Sequence, residues 1–220
     1  MVKGIIFDMD GVLVDNMAIH FQAFAAMAER YNLSADSDVD FTHLNGRGND
    51  DIITALFPAD IVAQKGVQAL ADEKEALYRE IYAPTIVPTK GLKEVLTIAH
   101  SAGLRCAVGS SGPRENVDFV LRECHIEPFF EVRISGDMVT RCKPDPEIFL
   151  TAASRLGLEP SECLVFEDAI SGVKAAKAAG MKVIALTTTH TRKQLEEAGA
   201  EIVVEDFSPI TLDTIFALYE

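Results

Sequence analysis

Apolar positions follow two different rhythms along this chain. The first is a short unbroken run, Ile5-Ile6-Phe7, the pattern of a central parallel strand covered on both faces. From about Met17 to Pro84 the rhythm changes and no strand-like alternation appears. His20, Phe24, Met27 and Tyr31 recur at helical spacing and predict a helix over 17–31, with Asn16 as its N-cap. A second long helix is expected over 64–82, with Leu70, Leu77 and Ile81 on one face. Pro84, Pro88 and Gly91 then mark 85–91 as a connector.

Beyond the connector, helical stretches and short apolar runs take turns. Helices are expected over 91–102, 113–124, 145–156, 171–179, 192–198 and 209–218. Strands are expected over 104–109, 131–135, 163–167, 182–186 and 201–204. Alternation at this spacing predicts an α/β fold, a doubly wound, Rossmann-like parallel sheet. The core is then discontinuous, residues 1–15 and 88–220, with an inserted all-helical cap over 16–87 hung on two linkers.

The chemistry gathers where strands end. The first strand runs straight into Asp8-Met9-Asp10-Gly11, and two carboxylates at such a place are costly unless a cation or a proton compensates them. An Asp nucleophile, a neighbouring Asp to handle protons and a divalent ion to hold a phosphate need this arrangement. Taken alone, the segment reads equally as an acidic turn. Cys163–Phe166 repeats the pattern, an apolar strand ending in Glu167 and Asp168, followed by a helix that stops at Gly180. Between them, 106–109 runs into the hydroxyls of Ser110 and Ser111 and the glycine at 112. Lys143-Pro144-Asp145-Pro146 sets a lysine just before a helix, with Asp145 as its N-cap and Pro146 at its first position. Ligands of open parallel sheets bind outside the carboxyl ends of the strands, so acids, hydroxyls and lysine are expected to converge on one point.

Asp8-x-Asp10-Gly-Val, then Ser110, Lys143-Pro-x-Pro and Glu167-Asp168 resemble the four motifs of the haloacid dehalogenase superfamily, across essentially the whole chain. Asp15, His20 and the helical insert before the second motif are similar to its branch of β-phosphoglucomutases and small sugar-phosphate phosphatases. The resemblance implies Asp8 as nucleophile, Asp10 as general acid/base, and Ser110 and Lys143 as holders of the phosphoryl group. It also implies Mg²⁺ on Asp8, the main-chain carbonyl of Asp10 and Asp168, with Glu167 beside them. Dehalogenases of the superfamily generally lack the second Asp, so Asp10 points to phosphoryl transfer.

Five further positions are read against that resemblance. His20, twelve residues after Asp8, falls at the cap entry of the branch; otherwise it is a helix residue packing beside Phe24. Lys74 falls where the branch carries a cap lysine, although the run Asp72-Glu73-Lys74-Glu75 also reads as a solvated face with helical charge pairs. In the glycine-flanked loop Leu44–Asn49, the Arg47 guanidinium suits a second anionic group on the substrate. The mutase carries its arginine two positions later, where Asn49 stands here. It also carries Ser-Lys-Asn where this chain has Gly112-Pro113-Arg114, leaving Arg114 to replace the lysine charge. Both departures weaken the mutase reading more than the phosphatase one, and both arginines, with His20, Lys74 and Ser111, are expected on the substrate.

Composition narrows the partners. A chain of 220 residues suffices for one large or two modest domains, and a formal charge of −14 argues against nucleic acid or an anionic membrane. No apolar run is long enough to span a bilayer, and the N-terminus enters a strand without a signal sequence. Cys106, Cys124, Cys142 and Cys163 lack zinc or redox spacing, and those in the strands read as buried free thiols of a reducing cytoplasm. The expected protein is a cytoplasmic, monomeric, Mg²⁺-dependent phosphatase of small phosphorylated metabolites, sugar phosphates foremost, acting through an aspartyl-phosphate. The rivals are a β-phosphoglucomutase-type isomerase and, more remotely, a receiver-like phosphoacceptor, which would lack an acid two residues beyond its own.

Overall fold

Ile6 and Phe7 are neighbours in one strand and face opposite ways, and the two layers around the sheet grow from that alternation. The computed structural model describes residues 1–33 and 49–220. The chain divides into two compact units, Met1–Asp15 with Ile86–Glu220, and Asn16–Thr85.

The first unit holds β1 (Gly4–Phe7), β2 (Arg105–Gly109), β3 (Val132–Ile134), β4 (Cys163–Glu167), β5 (Lys182–Leu186) and β6 (Ile202–Val204). All pair in parallel, in the order β3-β2-β1-β4-β5-β6. The second unit holds α1 (Met17–Arg30), α2 (Asn49–Leu56), α3 (Ala59–Lys65) and α4 (Val67–Tyr82). The sheet is flanked by α5 (Leu92–Ser101), α6 (Arg114–Glu123), α7 (Glu147–Leu156), α8 (Ile170–Ala178), α9 (Arg192–Ala198) and α10 (Leu212–Ala217).

On one face Ile6, Ala107, Ile134, Val165 and Val183 pack with Phe149 and Ala152 of α7 and Ala176 of α8. On the other, Phe7 stacks on Phe166 at 5.0 Å, Phe166 meets Phe207 at 4.9 Å, and Phe130 stands edge-on to Phe7 at 5.7 Å. Every residue of β1 and β4 is buried, as strands covered on both faces must be.

Strand order positions the site. From β1 the chain builds outward through β2 and β3, then crosses back to lay β4, β5 and β6 on the other side. The switch therefore lies between β1 and β4, where the loops leaving the sheet diverge and open a crevice. Phe7 pairs with Phe166, and the Asp8 N–H donates to the Phe166 carbonyl at 2.9 Å, so the first acid of each motif stands beside the other at the end of the sheet.

Three local expectations give way. The helix expected over 64–82 begins at Val67, because Gly66, at φ +83°, separates α3 from α4. Asn16 makes no side-chain cap to α1; its amide donates to the Tyr78 hydroxyl at 2.6 Å instead, a long-range partner outcompeting a local one. Pro146 takes the N-cap position of α7, and Asp145 Oδ1 accepts from the Glu147 N–H at 3.0 Å from one residue further out. No helix among the described residues is long and apolar enough to cross a membrane.

Candidate active site

Lys143 is the hub of the acidic cluster. Its Nζ donates to Asp8 Oδ1 at 2.6 Å and to Glu167 Oε1 at 2.7 Å, and it lies 4.7 Å from the centre of the Phe149 ring. The other Glu167 oxygen accepts the Asp168 and Ala169 N–H groups, both at 2.8 Å, so the turn leaving β4 braces that carboxylate. Two glycines make room. A Cβ on Gly172, in the first turn of α8, would run into the Glu167 carboxylate. One on Gly11, at φ +75°, would run into that of Asp168.

Burial sets the electrostatics. It pushes the Asp8 carboxyl up to about 7, with the charges of Glu167 and Asp10 adding and Lys143 opposing. Asp168 is raised well above the carboxylate range, first by burial, then by Glu167 and Asp8, against the neighbouring hydroxyls of Thr189 and Thr188. Burial alone would lower Lys143, but the charges of Asp8 and Glu167 outweigh it and hold the ammonium above its ordinary value. One ammonium cannot neutralise three buried carboxylates, so the cluster calls for a further positive charge.

A divalent cation fits. Asp8, Glu167 and Asp168 each offer an oxygen, all within 4.8 Å of one another and all buried. With no His or Cys in the set, the donors suit a hard ion such as Mg²⁺. Among the described residues, the Asp8 oxygen not held by Lys143 and the Asp168 Oδ1 have no protein donor.

The Ser110 loop borders this cluster. Ser110 is buried; its N–H donates to the Ile134 carbonyl at 3.0 Å and its Oγ accepts from the Gly112 N–H at 3.0 Å. Asp10 is half-buried, with Oδ2 3.6 Å from where a Cβ on Gly112 would stand, which sets its carboxylate beside the same loop. Ser111 is exposed. Arg114 opens α6, exposed, with its guanidinium 3.6 Å from Asp118 of the same helix. Arg47 lies outside the described residues.

In the helical unit, Lys74 overturns the solvated-face reading. Its side chain is 2% exposed, with Nζ 2.8 Å from His20 Nδ1 and 2.8 Å from Glu75 Oε1. An ammonium only donates, so His20 Nδ1 is the acceptor. The His20 ring stacks on Tyr78 at 4.1 Å, and Lys74 Nζ lies 4.8 Å from the Phe24 ring centre. The half-buried His20 and the buried Lys74 thus form one cluster joining α1 to α4.

Sequence reasoning passed over Thr188, Thr189 and His190, which the loop after β5 brings to Asp168. The available signal was polar residues following an apolar strand at the same end of the sheet.

Fold and site together define an α/β enzyme with a lysine-braced acidic centre at the switch point of its sheet. Residues 2–180 match the model of the haloacid dehalogenase-like hydrolases, and the chain belongs to that family. It is 32% identical to a phosphorylated carbohydrates phosphatase of Thermotoga maritima, over 93% of this chain and 94% of that one. With the β-phosphoglucomutase of Bacillus subtilis it shares 27% identity, over 100% and 96% of the two chains. Among solved structures, a HAD hydrolase of family IA, variant 3, from Entamoeba histolytica superposes with a TM-score of 0.86, at 28% identity over 99% of each chain.

Proposed function

We propose that this protein is a Mg²⁺-dependent phosphatase of small phosphorylated metabolites, sugar phosphates foremost, working through an aspartyl-phosphate on Asp8. The observation that carries the reading is the Asp8 carboxylate held by Lys143 at 2.6 Å beside two more buried carboxylates, Glu167 and Asp168. A nucleophile so placed stays ionised only in the company of cations, and phosphoryl transfer is the chemistry that needs nucleophile and cations at one point.

In the proposed reaction, the Asp8 carboxylate attacks phosphorus in line as the bond to the alkoxide breaks. Asp10 gives its proton to that leaving oxygen. Asp10, now a base, takes a proton from water as the water attacks the phosphorus of the acyl phosphate. Inorganic phosphate leaves and the Asp8 carboxylate is restored. Lys143, the Ser110 hydroxyl and the amides of its loop bear charge on the equatorial oxygens. Asp8, the Asp10 carbonyl and Asp168 would hold Mg²⁺, with Glu167 beside them. Bound there, the ion neutralises charge on the phosphoryl group and helps orient it.

The name of the Thermotoga relative supports phosphorylated carbohydrates as the substrate class. The test is a panel of hexose, pentose, nucleotide and glycerol phosphates, assayed with and without a trace of glucose 1,6-bisphosphate. Free phosphate is expected from several sugar phosphates, lost in chelator and regained with Mg²⁺. Efficient interconversion of β-glucose 1-phosphate and glucose 6-phosphate with scant phosphate release would make the protein a mutase. Full activity after dialysis into excess chelator would remove the metal from the scheme.

A further inference from the structure

The loop leaving β5 grips two other loops of the site at once. Thr188 Oγ1 donates to the Gly11 carbonyl at 2.6 Å and lies 3.2 Å from Asp168 Oδ2. Thr189 Oγ1 donates to that same Oδ2. His190 Nδ1 lies 3.2 Å from the Asp168 main-chain oxygen, and since a carbonyl only accepts, Nδ1 carries the proton. A hydroxyl has one proton to give, and the shorter contact claims that of Thr188 for Gly11. Thr189 therefore supplies the bond that commits Oδ2 of Asp168. Close packing completes the clamp: Gly11 has no Cβ where one would overlap the Asp168 carboxylate, with Thr188 Oγ1 3.0 Å from the same point.

We propose that Thr188 and Thr189 are positioning residues of the divalent-cation site. Thr189 donates to Oδ2 of Asp168 and so holds the carboxylate in one orientation, with Oδ1 clear of protein donors among the described residues. Thr188 pins the Gly11 carbonyl and with it the peptide next to the Asp10 carbonyl, so two cation donors are oriented from one short loop. A carboxylate and a carbonyl already fixed lose less freedom when an ion binds, and such outer partners are typically worth about 10–100-fold in metal affinity. The inference rests on the reading of this cluster as a Mg²⁺ site. It adds that affinity is set partly by two hydroxyls that never touch the ion.

Isothermal titration of the whole chain with MgCl₂ tests this directly, independently of turnover. Thr189→Val keeps the shape and removes the hydroxyl; Thr189→Ser keeps the hydroxyl and removes the methyl. The Val variant is expected to bind Mg²⁺ roughly tenfold more weakly or worse, and the Ser variant close to the original protein. Thr188→Val is expected to weaken binding as well, and it serves as the second arm should Thr189→Val fail to fold. An unchanged Kd in the folded Val variants overturns the inference. So does a Ser variant as weak as the Val variant, which would assign the effect to packing. If the unsubstituted protein takes up no Mg²⁺, the metal reading falls and this inference falls with it; if it binds tightly and the Val variants match it, only the inference falls.

Discussion

Lys143 is fixed by its surroundings rather than by its own flexible stem. Asp8 and Glu167 accept hydrogen bonds from it at 2.6 and 2.7 Å, the Phe149 ring lies beneath it, and Glu167 is itself held by two backbone amides. The place of the Glu167 carboxylate depends on space that Gly172 leaves open. Gly172→Ala forces the Glu167 carboxylate aside and Lys143 with it, so turnover should fall at least roughly tenfold, with about 1–3 kcal/mol lost to overpacking. Phosphate release and urea unfolding of the variant measure both, and a variant unchanged in both would contradict this geometry. At this scale the acids and Lys143 are legible in the chain because each sits where an apolar run or a helix begins or ends. Lys74 is not legible: its charged neighbours in sequence suggest a wet face, whereas His20, 54 residues away, and Tyr78 bury it. Thr188 escapes notice for the same reason, since its partner Gly11 is 177 residues distant.

The strands carry thiols whose state depends on remaining covered. Burial pushes Cys106 of β2 up to about 12, Cys163 of β4 up to about 11, and Cys124 at the end of α6 up to about 11. The same thiols ionise near 9 in an unfolded chain, which therefore binds fewer protons than the folded one above that pH. Their contribution is fully present below pH 9 and is lost as pH climbs toward 11–12, at up to about 1.4 kcal/mol per pH unit for each fully buried group. Tyr219 is raised by burial too and donates to the Cys163 carbonyl at 2.6 Å, adding in the same direction. Urea midpoints should fall steadily above about pH 9, and Cys106→Ala should flatten that fall; a slope identical in the two proteins would contradict the assignment. The strands can be read from the sequence because unbroken apolar runs have few other uses. Boundaries are harder: Gly66 splits a helix whose periodicity runs on past it, and Asn16 abandons its cap for Tyr78, a choice made by tertiary contact.

At the scale of the whole molecule, strand order does what spacing cannot. Positions 8, 143, 167 and 168 are scattered along the chain, and alternation of helices and strands predicts a parallel sheet without saying which strands are neighbours. The order β3-β2-β1-β4-β5-β6 sets β1 against β4, so Asp8 and Glu167 end side by side at the switch. Everything proposed for the site then rests on Asp8 as the group that takes the phosphoryl, with Asp10 handling protons two residues on. The decisive measurement is intact-mass spectrometry after an acid quench, on protein mixed with Mg²⁺ and p-nitrophenyl phosphate. That substrate leaves without help from an acid, whereas the second step still needs Asp10 as base, a contribution typically worth about 10²–10⁴-fold. Asp10→Asn should therefore accumulate one acid-stable, hydroxylamine-labile phosphoryl group, and Asp8→Asn should accumulate none. Normal labelling of Asp8→Asn alongside unlabelled Asp10→Asn would contradict the mechanism.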